Sequence, residues 1–217
     1  MNHSHVLQAF SAGGDLDWLM ARHRDTPDNN ISVMTQFYKR FLIMRQVPVP
    51  VIAAINGPAI GAGLCLAVGG ADIRVASTGA KLGVTFTRLG LHPGMAATHF
   101  LPQLVGPQAA ADLLLTGRVI GAKEALALGL VSQTVDCALT GALQLAEEIS
   151  SETGPVSVRT LVTTLRRKQE QGLEEAFRQE ATAQSVCYPT QDLAEGVRAL
   201  QEKRKPVFKG ELTKTSL

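Results

Sequence analysis

Charge of one sign is what this sequence most lacks. Its 21 basic and 19 acidic residues leave a net charge of +2 over 217 residues. That balance does not suit a nucleic-acid or anionic-membrane surface, which needs a concentrated basic face. The third possibility for a basic helical face, RNA binding, is disfavoured on the same ground. Cysteine is scarce as well: Cys65, Cys137 and Cys187 are odd in number and far apart. A disulfide framework is therefore not expected, and a reducing compartment fits. No apolar run approaches the ~20 residues that a membrane span needs. No signal-peptide or Arg-rich transit pattern opens the chain, and Lys214-Thr215-Ser216-Leu217 is not a peroxisomal Ser-Lys-Leu ending. The expected location is cytoplasmic. There is no internal repeat and no low-complexity tract. His3, His5 and His23 are not spaced as metal ligands, so no metal is expected.

What is present is an ordinary globular composition, 45% hydrophobic and 18% charged, able to bury a core. Asp15 or Asp17 can open a helix. The polar segment Asp25–Asn30, with Pro27, reads as a mobile surface loop. The spacing of Val33, Met34, Phe37, Phe41, Leu42 and Met44 predicts an amphipathic helix over Ile31–Gln46. Pro48 and Pro50 stop it and begin a buried strand that runs to Ile55. Short strands are expected at Ala71–Ala76, Lys81–Val84 and Leu130–Val135, with an extended piece at Thr116–Val119. Between them fall helices over Met95–Leu104, Gln108–Leu115 and Ala122–Leu128, the last stopped by Gly129. Beyond Leu139 the pattern is helical: Leu139–Glu152, Pro155–Gln171, Leu173–Cys187 and Thr190–Arg204. Strands alternating with helices, then a helical run, predict an α/β core with a parallel sheet and a helical extension.

The stretch Asn56–Ser77, NGPAIGAGLCLAVGGADIRVAS, organises this pattern. Gly61 and Gly63 lie between a buried strand and the helix that continues over Leu64–Val68. Glycines there let the backbone turn sharply and approach a ligand. The first amides of a helix have no intrahelical acceptor, and the helix dipole adds partial positive charge. The turn can bind an anion, or an oxygen that becomes negative during a reaction. It can equally be a tight connection with no ligand. A second glycine pair, Gly13-Gly14 in AGGDL, also follows an apolar run and precedes a helix. If the two turns meet, one amide from each can grip a single carbonyl oxygen.

The chain resembles the crotonase superfamily, the enoyl-CoA hydratase/isomerase family. The resemblance rests on FSAGGDL (Phe10–Leu16), PVPVIAAINGPAIGAGLCLAVGGADIRVAS (Pro48–Ser77), LGLHPGMAATHFLPQLVG (Leu89–Gly106), LLLTGRVIGAKEALALGLVSQTV (Leu113–Val135) and EGVRALQEKRKPVFKG (Glu195–Gly210), in the family's order. It implies a ββα spiral core over residues 1–137 and a C-terminal helical trimerisation subdomain over 138–217. The core would be shortened at its N-terminus, because family members carry further strands ahead of FSAGGDL. It also implies an acyl-CoA substrate, no cofactor besides that thioester, and assembly as a homotrimer or hexamer. By position, the amides of Gly14 and Ala62 would form the oxyanion hole that stabilises a thioester enolate. Ala62 stands where the family usually has glycine, and its backbone donor is kept. Ala12 and Gly61 would flank the bound thioester. Lys203, in EKRKP, falls on the family's basic contact to the nucleotide end of CoA; read alone, it is a solvated helix end. An aromatic contact of some members falls near Gln184 and is not carried over.

The family's two catalytic glutamates fall on Cys65 and Phe86. Neither does a glutamate's work, so two-carboxylate hydration is not expected. Cys65, between Leu64 and Leu66, reads as a small buried hydrophobe. His92, in the LHPGM segment that borders the acyl pocket in this family, can act as acid or base. It can equally cap the following helix or sit in a polar turn. His99 reads as structural, and Arg88 and Asp112 as surface or ion-pair groups. Ser11 and Ser77 have no visible base. The primary expectation is an enzyme of enolate-type acyl-CoA chemistry, a lyase or isomerase of fatty-acid metabolism. The alternative is a catalytically inactive member acting as a binding or assembly subunit. Leu161, Leu165, Leu173, Phe177 and Leu200 can form a trimer interface or pack on their own core.

Overall fold

The computed structural model describes residues 9–211. Asp15 opens α1 (Leu16–His23), its carboxylate accepting from the Trp18 amide at 2.8 Å. The segment expected to be a mobile loop is instead the start of α2 (Pro27–Phe41). Thr26 accepts from the Asn29 amide at 3.3 Å and Pro27 takes the first turn. Proline suits that turn because its missing N–H has no partner there in any case. Asn30 is fully buried and donates to the Arg22 carbonyl at 2.8 Å. The helix therefore begins before Ile31 and ends at Phe41, and a 3-10 turn over Ile43–Gln46 follows.

Two small sheets carry the strands. β1 (Ile52–Ile55), β3 (Ile73–Ser77) and β6 (Gln133–Val135) form a parallel sheet in the order β1-β3-β6. β2 (Ala59–Ile60) pairs in parallel with β4 (Lys81–Gly83), and β4 pairs antiparallel with β5 (Ile120–Gly121). The strands are shorter than the apolar runs suggested. Pro48 to Pro50 are outside β1, and Val49 is 49% exposed. The extended piece expected at Thr116–Val119 is displaced: helix runs through Thr116 and the strand is β5.

Between the sheets' strands lie α3 (Ala62–Gly70), α4 (Ala97–Thr116) and α5 (Ala122–Ala127). α4 is broken at Gly106, whose φ of 78° and ψ of 160° are not helical, so it is the two expected helices end to end. Pro107 starts the second of them. The C-terminal helices are α6 (Ala138–Glu152), α7 (Pro155–Gln169), α8 (Leu173–Cys187) and α9 (Gln191–Gln201). α6 packs on β1 and β3, α8 lies along α2, and α9 covers the 3-10 turn Phe86–Leu89. Leu173 and Phe177 pack into the main core, whereas Leu161, Leu165 and Leu200 are more than half exposed.

Among the ion pairs that join the early and late parts of the chain, that of Arg166 and Asp72 is the most buried. Arg166 of α7 is buried and uses all five guanidinium hydrogens. Two go to the Asp72 carboxylate, at 2.9 and 2.6 Å, and three to the carbonyls of Arg45, Val47 and Val49. A fork of this kind is what arginine does and lysine does not. No helix among the described residues is long and apolar enough to cross a membrane.

Candidate active site

The two glycine turns meet. Ser11 and Ala59 form a parallel bridge, the Phe10 and Ser11 amides both donate to the Pro58 carbonyl at 3.0 Å, and the Ile60 amide donates back to the Ser11 carbonyl at 2.9 Å. The contact is close enough to require glycine twice. A Cβ on Gly13 would stand 2.7 Å from the Ile60 carbonyl oxygen and 3.6 Å from the Ala62 nitrogen, and φ at Gly13 is +101°. A Cβ on Gly63 would meet the Ser11 side chain at 2.5 Å. The other side of the turn is tied to β4, the Gly61 amide donating to the Gly83 carbonyl at 2.8 Å.

Ala62 opens α3, so its amide has no acceptor within the helix. Among the described residues neither the Gly14 nor the Ala62 amide donates to a protein acceptor. Ala12 and Gly14 are exposed at this edge, and Gly61 and Ala62 are half-buried. These four residues are the part of the expected site that the structure brings together.

The other expected residues stand around it. Cys65 is 1% exposed and packs within the main core. Burial, together with the charge of Glu180, pushes its thiol well above the ordinary range, so it is neither a base nor a thiolate. Phe86 begins the 3-10 turn and packs half-buried against the core. Its neighbour Thr85 lies against the first turn, with its hydroxyl 3.7 Å from where a Cβ on Gly61 would be. His92 is part-buried, and its Nδ1 lies 2.6 Å from the Pro93 carbonyl. That contact requires Nδ1 to carry the hydrogen and leaves Nε2 as the free lone pair of the neutral ring. The segment around His92 is bonded to α8 rather than to either glycine turn: Gln184 donates to the His92 carbonyl at 2.8 Å. Lys203 is exposed beyond the end of α9, in a left-handed conformation with φ of 53°.

Residues set aside for structural roles have them. His99 Nε2 lies 2.6 Å from the Gln169 carbonyl and joins α4 to α7. Asp112 pairs with Arg118 at 2.7 Å, and Arg88 donates to the Thr116 carbonyl. Ser77 accepts from the Ala138 amide and caps α6, and Ser11 accepts from the Gly13 amide.

The sequence reading did not find Glu180, Tyr38 or Thr85. Glu180 is 1% exposed on α8, and burial outweighs its three hydrogen bonds to push its carboxyl up to about 7. Its signal was the spacing Glu180, Gln184, Cys187 along one face of a helix. No group of three His, Cys, Asp or Glu among the described residues is arranged to hold a metal ion. A cavity of about 670 Å³ lies elsewhere, between α2, α7 and α8. Of the basic residues lining it, Arg45, Arg166 and Lys39 are engaged, with Glu170, Asp72 and Glu174 respectively, and Arg167 is exposed.

Comparison with known proteins bears on the family and the fold. The profile of the enoyl-CoA hydratase/isomerase family matches residues 4–211. A putative enoyl-CoA hydratase/isomerase of Bacillus subtilis is 38% identical over 205 residues, covering 94% of this chain and 77% of that protein. The human mitochondrial methylglutaconyl-CoA hydratase is 40% identical over 171 residues, covering 76% of this chain and 50% of that protein. Among solved structures, an enoyl-CoA hydratase/isomerase from Mycobacterium paratuberculosis superposes with a TM-score of 0.79 at 28% identity, over 88% of this chain and 76% of that one. An enoyl-CoA hydratase from Bacillus halodurans gives a TM-score of 0.79 at 25% identity, over 90% and 78%. With the profile matched over nearly its whole length and the fold shared, this chain belongs to the enoyl-CoA hydratase/isomerase family of the crotonase superfamily.

Proposed function

We propose that this chain binds an acyl-CoA thioester where its two glycine turns meet, and stabilises the enolate of that thioester. The amides of Gly14 and Ala62 hold the thioester carbonyl oxygen, and the dipole of α3 adds positive character at the same point. The observation that carries this reading is the bond from the Ile60 amide to the Ser11 carbonyl, which sets the two amide-bearing turns side by side. Ala12 and Gly61 flank the thioester, Phe86 contributes apolar surface near the acyl chain, and Lys203 takes the nucleotide end of CoA; Cys65, 1% exposed, is packed behind the turn and offers the substrate no surface. The reaction is an isomerisation, hydration or related step of acyl-CoA metabolism in the cytoplasm. It does not use a pair of carboxylates, because a deeply protonated thiol and a phenyl ring stand in their places. His92 supplies acid–base chemistry through Nε2. The exposed Leu161, Leu165 and Leu200 support a homotrimer or hexamer.

Calorimetry with octanoyl-CoA tests the binding step. Saturable binding is expected, and its absence overturns the reading. Turnover of a panel of acyl-CoAs, measured for the wild type and His92→Ala, tests the chemistry. Activity lost only in the variant supports catalysis. Zero turnover in both, with binding retained, supports a second reading: a catalytically silent binding or assembly subunit. Cys65 and Phe86 favour that second reading, since neither can move a proton near neutral pH.

A further inference from the structure

One deeply buried carboxylate has no place in the chemistry above. Glu180 of α8 accepts from the Ala96 amide at 2.6 Å through Oε2, and from the Thr98 amide and hydroxyl at 2.8 and 2.5 Å through Oε1. The segment it grips is unusual. Met95 and Ala96, consecutive and neither of them glycine, have φ of 62° and 57°. L side chains avoid this left-handed region, and such residues persist only where the surroundings over-determine them.

The surroundings do so here. Gln184, one turn along α8 from Glu180, donates to the His92 carbonyl at 2.8 Å. The Tyr38 hydroxyl donates to the Gln184 side chain at 2.7 Å. Glu180 and Gln184 stand at the i, i+4 spacing of one helical face. That face holds two of the backbone amides and one carbonyl of His92–Thr98. The held segment leads directly into α4, which packs on α3, the helix that starts at Ala62. Cys65 of α3 feels the charge of Glu180.

We propose that Glu180 is a positioning residue. It holds the Met95-Ala96 pair in its left-handed conformation and so fixes the His92–Thr98 segment that sets α4 against α3, the helix whose first amide is that of Ala62. This rests on the acyl-CoA reading above. Glu180 touches no substrate; it acts through the backbone it grips.

The test compares the affinities of octanoyl-CoA and free CoA, with amide hydrogen exchange read at Ala96 and Thr98. In Glu180→Gln an amide group replaces one acceptor oxygen, leaving a buried donor of the segment unpaired. Faster exchange at both amides is expected, with about a tenfold loss of octanoyl-CoA affinity and little change for CoA. Ala96→Gly removes the side-chain penalty of the left-handed conformation. Added to Glu180→Gln, it should restore most of the octanoyl-CoA preference. A lowered Tm with an unchanged affinity ratio overturns the positioning role and leaves Glu180 as scaffold. If Glu180→Gln does not fold, Thr98→Val removes one donor from the same carboxylate, and an unchanged ratio there overturns the proposal equally. Failure of the wild type to bind octanoyl-CoA overturns the function proposed above, and the positioning role with it.

Discussion

The Gly63 α-carbon faces Ser11 so closely that a Cβ on it would lie 2.5 Å from the Ser11 Cβ and 2.6 Å from the Ser11 carbonyl oxygen. Backbone from one end of the chain thus rests on the first turn of α3, and the distance between the two turns is set by the absence of a side chain. Gly63→Ala should force them apart. Overpacking of this kind costs ~1–3 kcal/mol. The expected result is a lower urea midpoint together with loss of octanoyl-CoA binding; wild-type affinity in a folded Gly63→Ala protein contradicts a shared site.

Ala62→Pro isolates the amide itself. The position is the first residue of α3, where proline is tolerated and no intrahelical bond is lost. Stability should stay close to wild type. Any acyl-CoA turnover should fall about 10²-fold, the usual effect of deleting one oxyanion donor. Steady-state kinetics beside a thermal melt checks both halves.

The cysteines should react in an order set by burial. Cys137 is exposed, and hydrogen bonds from Thr140 lower its thiol pKa. Cys65 is buried and its thiol is pushed far up. Iodoacetamide followed by mass spectrometry should label Cys137 first, Cys187 more slowly, and Cys65 only once urea has unfolded the chain. Early labelling of Cys65 would show that α3 opens in the native state.

Arg166 carries a larger share of stability than a surface pair. Arg166→Met leaves the Asp72 carboxylate and three carbonyls without their donor. A loss on the order of 3 kcal/mol is expected by urea unfolding. Arg166→Lys should recover little of it, because an ammonium group cannot span Asp72 and three carbonyls at once.

Glu180 makes stability depend on pH in a defined window. Burial raises its folded carboxyl from the ordinary 4.5 to about 7. Between those values the unfolded chain has released the proton and the folded chain still holds it. Glu180's own contribution is therefore greatest below pH 4.5, declines as pH rises to 7, and levels off above it. The decline is at most about 3 kcal/mol, at 1.36 kcal/mol per unit. Glu195, held down at about 2 by Arg204, loses its contribution only under more acidic conditions. Urea midpoints at pH 5 and pH 7.5 should differ in the wild type and draw together in Glu180→Gln.

Much of the fold was legible in the chain. The helical period of α8, the N-cap Asp15 and the break in α4 at Gly106 all follow from local rules about spacing, capping and glycine. The start of α2 was misread because Thr-Pro-Asp is both a turn sequence and a good helix start, and only a buried Asn30 decides between them. The strands came out short because apolar runs report burial, and the pairing partner decides how much of a run is strand.

The site divided in the same way. The two glycine turns could be read from the sequence, since a missing side chain is a local fact. That the turns touch, that Cys65 is sealed inside the core, and that Glu180 grips a left-handed pair far away in the chain were decided only by tertiary packing. The physical reason is range. Capping and periodicity act within a turn or two of helix, whereas burial, and the pKa and strain it sustains, depend on which distant segments close over a residue.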